Sequence, residues 1–144
     1  MTDVFMTVTI SLRITSQALC ADAIEDALGR VSSIKWSKGD ARATPSGKVL
    51  HGVRTDSYAN FLLVEKSRVW LSLALNDCNT QLAKHREFFS KIRREGGRAE
   101  LFVGWFLERD GGDVLPYKLL AGIAALELDL SLDVYPERTL DSLN

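Results

Sequence analysis

The feature that most constrains this fold is the alternation of apolar and other residues near the start of the chain. Apolar side chains occupy every second position from residue 4 to residue 14, namely Val4, Met6, Val8, Ile10, Leu12 and Ile14. A period of two with many β-branched residues is typical of a strand that covers a core on one side. We therefore predict a long first strand. Its second face, lined by threonine, serine and Arg13, is expected to meet solvent or a shallow groove.

The patterns that follow this strand predict an α+β domain. Helical periodicity marks residues 19–28, 78–92 and 116–124, and strand patterns mark residues 33–37, 61–64, 69–75, 99–107 and 128–135. We expect residues 65–68 to join two strands as a hairpin, with one continuous bent strand as the alternative. This order favours a mainly antiparallel sheet with helices packed on one face. The middle of the chain resembles a split βαβ, ferredoxin-like core with an added C-terminal helix and strand.

Residues 38–60 fit neither the helical nor the strand period. They are rich in glycine, serine and aspartate and include Pro45. A structureless run of this length is uncommon inside a compact domain and usually marks a functional or mobile loop. We predict a mobile loop here and expect it to be a first place to look for function.

Length, composition and cysteine usage limit the class of protein. A chain of 144 residues fits one domain, and its 46% hydrophobic content and net charge of -1 exclude a disordered chain and a membrane span. Near-neutral charge also lacks the basic footprint of a duplex-binding protein. No basic segment leads into an apolar run at the N-terminus, which predicts a cytoplasmic protein. Cys20 and Cys78 are too few for a disulfide framework, and we expect both to be buried free thiols.

The search for catalytic motifs leads us to predict no catalytic residue, no cofactor and no metal site. His85 lies in a helical pattern with Phe89 at the position where a second ligand would be needed, and no HExxH or CxxC motif occurs. His51 falls in the irregular stretch, where a solvated side chain is expected. Gly47 and Lys48 lack the spacing of a phosphate-binding loop, and no GxSxG motif is present.

Six polar residues stand out as candidate ligand- or partner-binding residues: Arg13, Lys38, Asp40, Asp129, Asp133 and Tyr135. If the first and last strands are neighbours, Arg13 and Asp133 meet across the sheet as a structural pair. The alternative is a groove in which Arg13 binds a carboxylate or phosphate. Asp129 and Asp133 share a face about 13 Å apart. That separation is too large for the paired acids of a glycosidase.

Charge is unevenly distributed, which bears on partners. Residues 1–107 carry 15 basic and 11 acidic side chains, whereas residues 108–144 carry 3 and 8. An acidic C-terminal region attracts a basic partner or pairs within the molecule. Our first hypothesis is therefore a non-enzymatic protein-interaction module, such as an immunity or accessory protein. We expect it to be homodimeric through the sheet surfaces of residues 4–15 and 99–107.

Two alternatives stay open from the residues alone. The first is a small-ligand-binding protein or weak enzyme, in which residues 38–60 form a lid over Arg13, Asp40 and Asp133. The second is single-stranded nucleic-acid binding by stacking aromatics beside Lys35, Lys38 and Arg42. For the three tryptophans, core packing in strands is the competing expectation; they are Trp36, Trp70 and Trp105.

Four segments together resemble a bacterial family known only as a domain of unknown function. They are SLRIT at residues 11–15, KGD at residues 38–40, the helix that contains Leu82 and His85, and ALELDLSLDVYP at residues 125–136. The resemblance implies a single small domain that opens with a strand of LRI type and closes with a short helix and a last strand. It also implies a bacterial origin. No activity, cofactor or catalytic residue comes with it.

Overall fold

The computed structural model describes residues 3–136, and its first strand buries one face completely. In β1 (Met6–Ser16), buried and half-buried residues alternate along the whole strand. The apolar residues of the buried face have no exposed surface; they are Met6, Val8, Ile10, Leu12 and Ile14. The predicted alternation of β1 is confirmed.

The remaining elements follow the predicted order except at residues 38–60 and 69–75. After β1 come α1 (Ala21–Leu28), β2 (Ile34–Trp36), β3 (Ala41–Ala43), β4 (Val49–Val53) and β5 (Ser57–Ser67). A helical segment follows, composed of α2 (Leu71–Leu82), a 3₁₀ turn (Ala83–His85) and α3 (Arg86–Arg94). The described chain ends with β6 (Arg98–Leu107), α4 (Tyr117–Ala125) and β7 (Asp129–Pro136).

Five strands form one sheet in the order β2-β5-β1-β6-β7, and β3 pairs with β4 in a separate hairpin. β1 is antiparallel to both β5 and β6, β2 is antiparallel to β5, and β7 is parallel to β6. The order β2-β5-β1-β6 is that of the split βαβ core, which α4 and β7 extend by a parallel crossover. The predicted α+β fold is confirmed.

The helices of the described chain cover one face of this sheet. Side chains from all of them join the β1 core, including Ile24 of α1, Leu75 of α2, Phe89 of α3 and Ile123 of α4. The opposite face, which we call the open face, therefore carries half-buried side chains along β1. Within residues 3–136 no helix combines the length and apolar character that a membrane span needs.

The predicted strand at residues 69–75 is wrong. Trp70 precedes α2, whose first residue is Leu71, and β5 ends at Ser67. The hairpin expected at residues 65–68 and the bent-strand alternative are therefore wrong as well. The apolar run at residues 69–75 led to the wrong prediction because periodicity alone does not distinguish a short buried strand from a buried helical turn.

The predicted structureless loop at residues 38–60 is also wrong. It contains the β3–β4 hairpin and the first residues of β5. Two backbone hydrogen bonds close the hairpin turn. The Thr44 amide donates to the Lys48 carbonyl oxygen at 2.8 Å, and the Gly47 amide donates to the Thr44 carbonyl oxygen at 2.9 Å. Most side chains of β3 and β4 are exposed on both faces. Such strands carry no alternation, so their sequence gives no strand signal.

The two cysteines differ in their surroundings. Cys78 is buried in α2 as predicted, and burial raises the pKa of its thiol to about 11. Cys20 is exposed, which corrects the expectation of a second buried thiol. Cys20 is the N-cap residue of α1 and makes no side-chain capping hydrogen bond. Its side chain therefore does not belong to the buried stripe of the helix.

Gly97 provides a direct test of how tightly β6 enters the sheet. A Cβ atom at this position would lie 2.6 Å from the carbonyl oxygen of Thr15 and 2.9 Å from Cγ2 of Ile92. Because backbone cannot yield as a flexible side chain does, we expect Gly97→Ala to lower the free energy of unfolding by about 1–3 kcal/mol. Urea unfolding followed by circular dichroism measures this.

Gly112→Ala is the matched control for that substitution. Gly112 has no atom within 4 Å of the added Cβ. We expect its free energy of unfolding to stay within about 0.5 kcal/mol of the unmodified chain. Equal effects of the two substitutions would contradict the close approach of Gly97 to β1.

Candidate functional site

The register of the sheet arranges the open face in rows of side chains. The first row contains Trp36 of β2, Tyr58 of β5, Thr15 of β1 and Arg98 of β6. The next row contains Ile34, Asn60, Arg13, Glu100 and Asp129. Residues far apart in the chain thus become neighbours on one surface.

The β3–β4 hairpin borders the first row and turns it into a groove of about 400 Å³. We call this the arginine groove; its lining includes Thr15, Trp36, Arg42, Arg54, Asp56, Tyr58 and Arg98. A smaller cavity of about 170 Å³ adjoins it and shares Thr15, Tyr58 and Arg98. Arg13, Glu100 and Asp129 complete the lining of this second cavity.

A stack of three side chains forms one wall of the arginine groove. The guanidinium carbon of Arg54 lies 3.8 Å from the ring centroid of Trp36. The rings of Trp36 and Tyr58 are stacked with centroids 4.6 Å apart and planes at 27°. Arg54 also donates from Nη2 to the carbonyl oxygen of Ala43 at 3.2 Å. Stacking and this bond hold the hairpin against the sheet.

An ion-pair cluster on the helix side of the sheet fixes the position of β2. Lys35 Nζ lies 2.8 Å from Asp22 Oδ1 and 2.7 Å from Glu25 Oε1, both in α1. These hydrogen bonds raise the pKa of Lys35. Bonds from Lys35 and Ser32 lower the pKa of Glu25 from 4.5 to about 2. Successive side chains of a strand point to opposite faces of the sheet. Because Lys35 lies on the helix side, Trp36 lies on the open face.

The charges of the arginine groove favour an anion. Its lining contains Arg42, Arg54 and Arg98 and a single carboxylate, that of Asp56. Arg42 Nη1 donates to the carbonyl oxygen of His51 at 3.2 Å, and Asp56 accepts from Thr55 at 3.4 Å. Arg98 makes no side-chain hydrogen bond or ion pair with any residue in the range 3–136. A guanidinium group without a hydrogen-bond partner can bind a carboxylate or a phosphate in bidentate fashion.

The structure brings the predicted site residues Arg13 and Asp129 together in one cavity. Arg13 and Asp129 both line the second cavity. Arg13 lies over the Phe102 ring at 3.6 Å and 3.8 Å from Glu100, and Asp129 forms an ion pair with Arg93 at 2.9 Å. Both side chains are therefore partly committed within the chain.

The expected pairing of Arg13 with Asp133 is wrong. β6 separates β1 from β7, so the Cα partner of Arg13 is Glu100, and that of Asp133 is Gly104. The condition for the pair, that the first and last strands are neighbours, is not met. The guanidinium group of Arg13 instead lies near the carboxylate of Glu100, on the adjacent strand β6.

The other predicted site residues lie outside the arginine groove. Asp40 accepts from the Ser37 amide at 2.8 Å and lines a separate cleft beside the hairpin. Lys38 is exposed in the turn before β3. Tyr135 donates to Asp133 at 3.2 Å and stacks on a β6 ring at the far end of the open face. The hydrogen bond and charge of Asp133 raise the pKa of Tyr135.

The groove residues that escaped prediction from the sequence include Arg54, Tyr58 and Arg98. For Tyr58 a signal exists, because Ser57, Ala59 and Phe61 are buried while Tyr58 and its alternate neighbours are not. Reading that alternation from residue 57 would have placed the tyrosine on the outer face. No local pattern marks Arg54 or Arg98, since strand register alone brings them together.

Neither histidine of the described chain lines the arginine groove. Across residues 3–136, no three histidine, cysteine or acidic side chains cluster as metal ligands would. His51 is exposed on β4. His85 is half-buried, with Nε2 unpaired among the described residues, and burial lowers the pKa of its imidazole.

Comparisons with known proteins give no assignment. No family model matches the chain, and neither a curated protein nor a solved structure matches it. The resemblance to a bacterial family of unknown function therefore stays a prediction.

Glu25→Gln tests whether the cluster under β2 stabilises the fold. Since the folded-state pKa of Glu25 is depressed to about 2, its carboxylate stabilises the protein fully above its ordinary value of 4.5. This contribution is lost as the pH falls toward 2. We expect the substitution to lower the urea midpoint at pH 7 and to have a shrinking effect below about pH 4.

Asp26→Asn is the control for this pH dependence. Asp26 is the next residue of α1, and its side chain is exposed. It forms no ion pair with any residue in the range 3–136. We expect nearly parallel stability curves for Asp26→Asn and the unmodified chain. A Glu25→Gln effect that is constant across the pH range would contradict the role of the ionised carboxylate.

Proposed function

We propose that this protein is a binding module that takes a small anionic molecule in the arginine groove. The observation that carries the proposal is the convergence of Arg42, Arg54 and Arg98 on one cavity with a single carboxylate in its lining. A volume of about 400 Å³ falls within the range of small-molecule sites. The lining offers charge and stacking, which suit the binding of an anion.

The surroundings of the groove favour a small anion over a polyanion. Glu100 and Asp129 lie in the next row, and Asp133 lies further along the same face. A nucleic-acid strand that extends across the open face would meet no excess of positive charge in the next row, because Arg13 there is paired with Glu100 and Asp129 is paired with Arg93. The chain as a whole has a net charge of -1. These charges fit a ligand that ends within the first row.

The ligand-binding proposal adapts the earlier lid hypothesis. The hairpin within residues 38–60 borders the groove, but it covers Thr15 and Tyr58 rather than Arg13, Asp40 and Asp133. A cytoplasmic location and bacterial origin are part of the proposal. Two free thiols suit a reducing compartment.

Arg98→Gln tests anion binding in the groove. Arg98 has no partner to lose within residues 3–136, so its removal leaves the local structure intact. Loss of a charge-assisted hydrogen bond is worth about 1.5–3 kcal/mol, or about 10- to 150-fold in affinity. We expect isothermal titration with inorganic phosphate, pyrophosphate and citrate to show at least one such loss.

Arg86→Gln is the charge-matched control for the titrations. Arg86 is exposed at the start of α3, on the helix side of the sheet. We expect the control to bind each anion as the unmodified protein does. Binding of no anion to the unmodified protein, or equal losses in both variants, would refute the proposal.

Self-association is a second candidate function, and the exposed strand β7 favours it. Within residues 3–136, β7 lies at the sheet edge and pairs only with β6. Three large side chains of the strand are 42–50% exposed; they are Leu132, Val134 and Tyr135. An unpaired edge with apolar side chains is a template for strand addition. β1 and β6, the surfaces first expected to associate, are interior strands.

Charge favours one of the three central registers of a symmetric antiparallel β7 pair. A two-fold axis at Leu132 sets Asp129 opposite Tyr135 and Asp133 opposite Ser131. An axis one residue earlier sets Asp129 opposite Asp133, and one residue later sets Asp133 opposite itself. Like charges directly opposite each other are destabilising, so the axis at Leu132 is favoured.

Val134→Lys tests whether two copies of the chain pair through β7. A charge on each copy at this position opposes the apolar pairing, and we expect native mass spectrometry at micromolar concentration to show dimer for the unmodified chain and monomer for the variant. Val31→Lys is the matched control because Val31 is 89% exposed and lies between α1 and β2. A dimer that survives Val134→Lys, or a monomeric unmodified chain, would refute pairing through β7.

Binding of a basic protein partner by the acidic C-terminal region stays a prediction as well. Asp129 and Asp133 each have a partner within the chain, Arg93 and Tyr135 respectively. A basic partner would compete with these contacts. This is why we place the arginine groove ahead of the acidic region.

A further inference from the structure

We infer that the ligand of the arginine groove carries a planar ring beside its anionic group, and that this ring stacks on Tyr58. The inference rests on the proposed function and names the class of ligand. Three observations support it: the uncovered face of Tyr58, the spacing of the first row, and the unpaired guanidinium nitrogen of Arg54.

Tyr58 offers one ring face to the groove. Its other face is stacked on Trp36, with centroids 4.6 Å apart. On the opposite side its neighbour in the row is Thr15, whose side chain is too short to cover a phenol ring. Tyr58 accordingly lines both the groove and the adjoining cavity. An aromatic face beside a cavity is a stacking platform.

The spacing of the row leaves room for one ring. Tyr58 and Arg98 lie on strands that flank β1, and neighbouring strands are about 4.8 Å apart, so about 9.6 Å separates the two positions. A ring held midway over Thr15 would lie about 4.8 Å from each. Stacked rings have centroids about 4.5–7 Å apart, and cations bind ring faces within about 6 Å. The ring thus fits between the tyrosine and the guanidinium group.

The anionic group then belongs on the hairpin side of the groove. Arg42 and Arg54 line that side. Nη1 of Arg54 has no hydrogen-bond partner among residues 3–136 and, unlike Nε, is not buried, whereas Nη2 donates to Ala43. A phosphate or carboxylate oxygen can accept a hydrogen bond from Nη1. Asp56, the carboxylate of this lining, can accept from an amino or hydroxyl group on the ring.

A planar ring with a phosphate and one with a carboxylate share this chemistry. Isothermal titration with adenosine monophosphate and with benzoate separates the two sources. Inorganic phosphate supplies the anion without a ring, and adenosine supplies the ring without an anion. We expect one of the two ring anions to bind at least about 10-fold more tightly than inorganic phosphate and than adenosine.

Three variants assign the ring contact. Tyr58→Leu keeps an apolar side chain but removes the ring, so we expect it to abolish the advantage of the ring anion over inorganic phosphate. Tyr58→Phe keeps the ring, and we expect it to retain the advantage. Phe106→Leu removes an aromatic ring at the far end of the open face, where it stacks on Tyr135, and should have no effect.

The possible outcomes separate this inference from the proposed function. Equal affinity for inorganic phosphate and both ring anions, with sensitivity to Arg98→Gln, would overturn the ring and leave the anion-binding function intact. Adenosine that binds as tightly as adenosine monophosphate would overturn the anionic group. Loss of the advantage in Tyr58→Phe as well as Tyr58→Leu would overturn stacking. No binding of any probe would overturn both proposals.

Discussion

One-sided burial of β1 is the constraint on which the rest of this structure depends. Its apolar face has no exposed surface, and helices of the described chain supply the other half of that core. The same strand presents threonine, serine and Arg13 on its second face. Short hydroxyl side chains at the centre of a sheet form a floor, and taller side chains on the flanking strands form walls. The arginine groove is a consequence of that difference in height along the row of Thr15.

Two arginines beside the groove and its adjoining cavity lie over aromatic rings. Arg13 lies over Phe102, and Arg54 lies over Trp36, at 3.6 and 3.8 Å. A ring face orients a guanidinium group through its quadrupole without neutralising the positive charge. A carboxylate partner would cancel much of the field in the groove, as Asp129 does for Arg93. Stacking therefore keeps Arg54 in place while leaving its charge for an anion, whereas Arg13 is also paired with Glu100.

Local patterns in the sequence predicted most of the fold and little of the site. Alternation specified β1 and β7 because each has one face that differs from the other, and glycine and basic residues marked the end of α3. The hairpin was invisible since its strands are exposed on both sides, and the start of α2 resembled a strand. Arg13 was found because it interrupts a run of hydroxyl residues. Arg98 and Tyr58 line the same groove only because of the register of three strands, which no local sequence pattern encodes.

The hairpin and the groove depend on the same residue. The backbone of Arg54 joins the hairpin base, donating to the Asp40 carbonyl at 2.8 Å and accepting from the Gly39 amide at 2.9 Å. Its side chain stacks on Trp36 and bonds to Ala43. An oxyanion bound at Arg54 would therefore restrain the wall of the groove as well as fill it. Binding to the folded state alone stabilises that state by mass action, so ligand and hairpin position are thermodynamically linked.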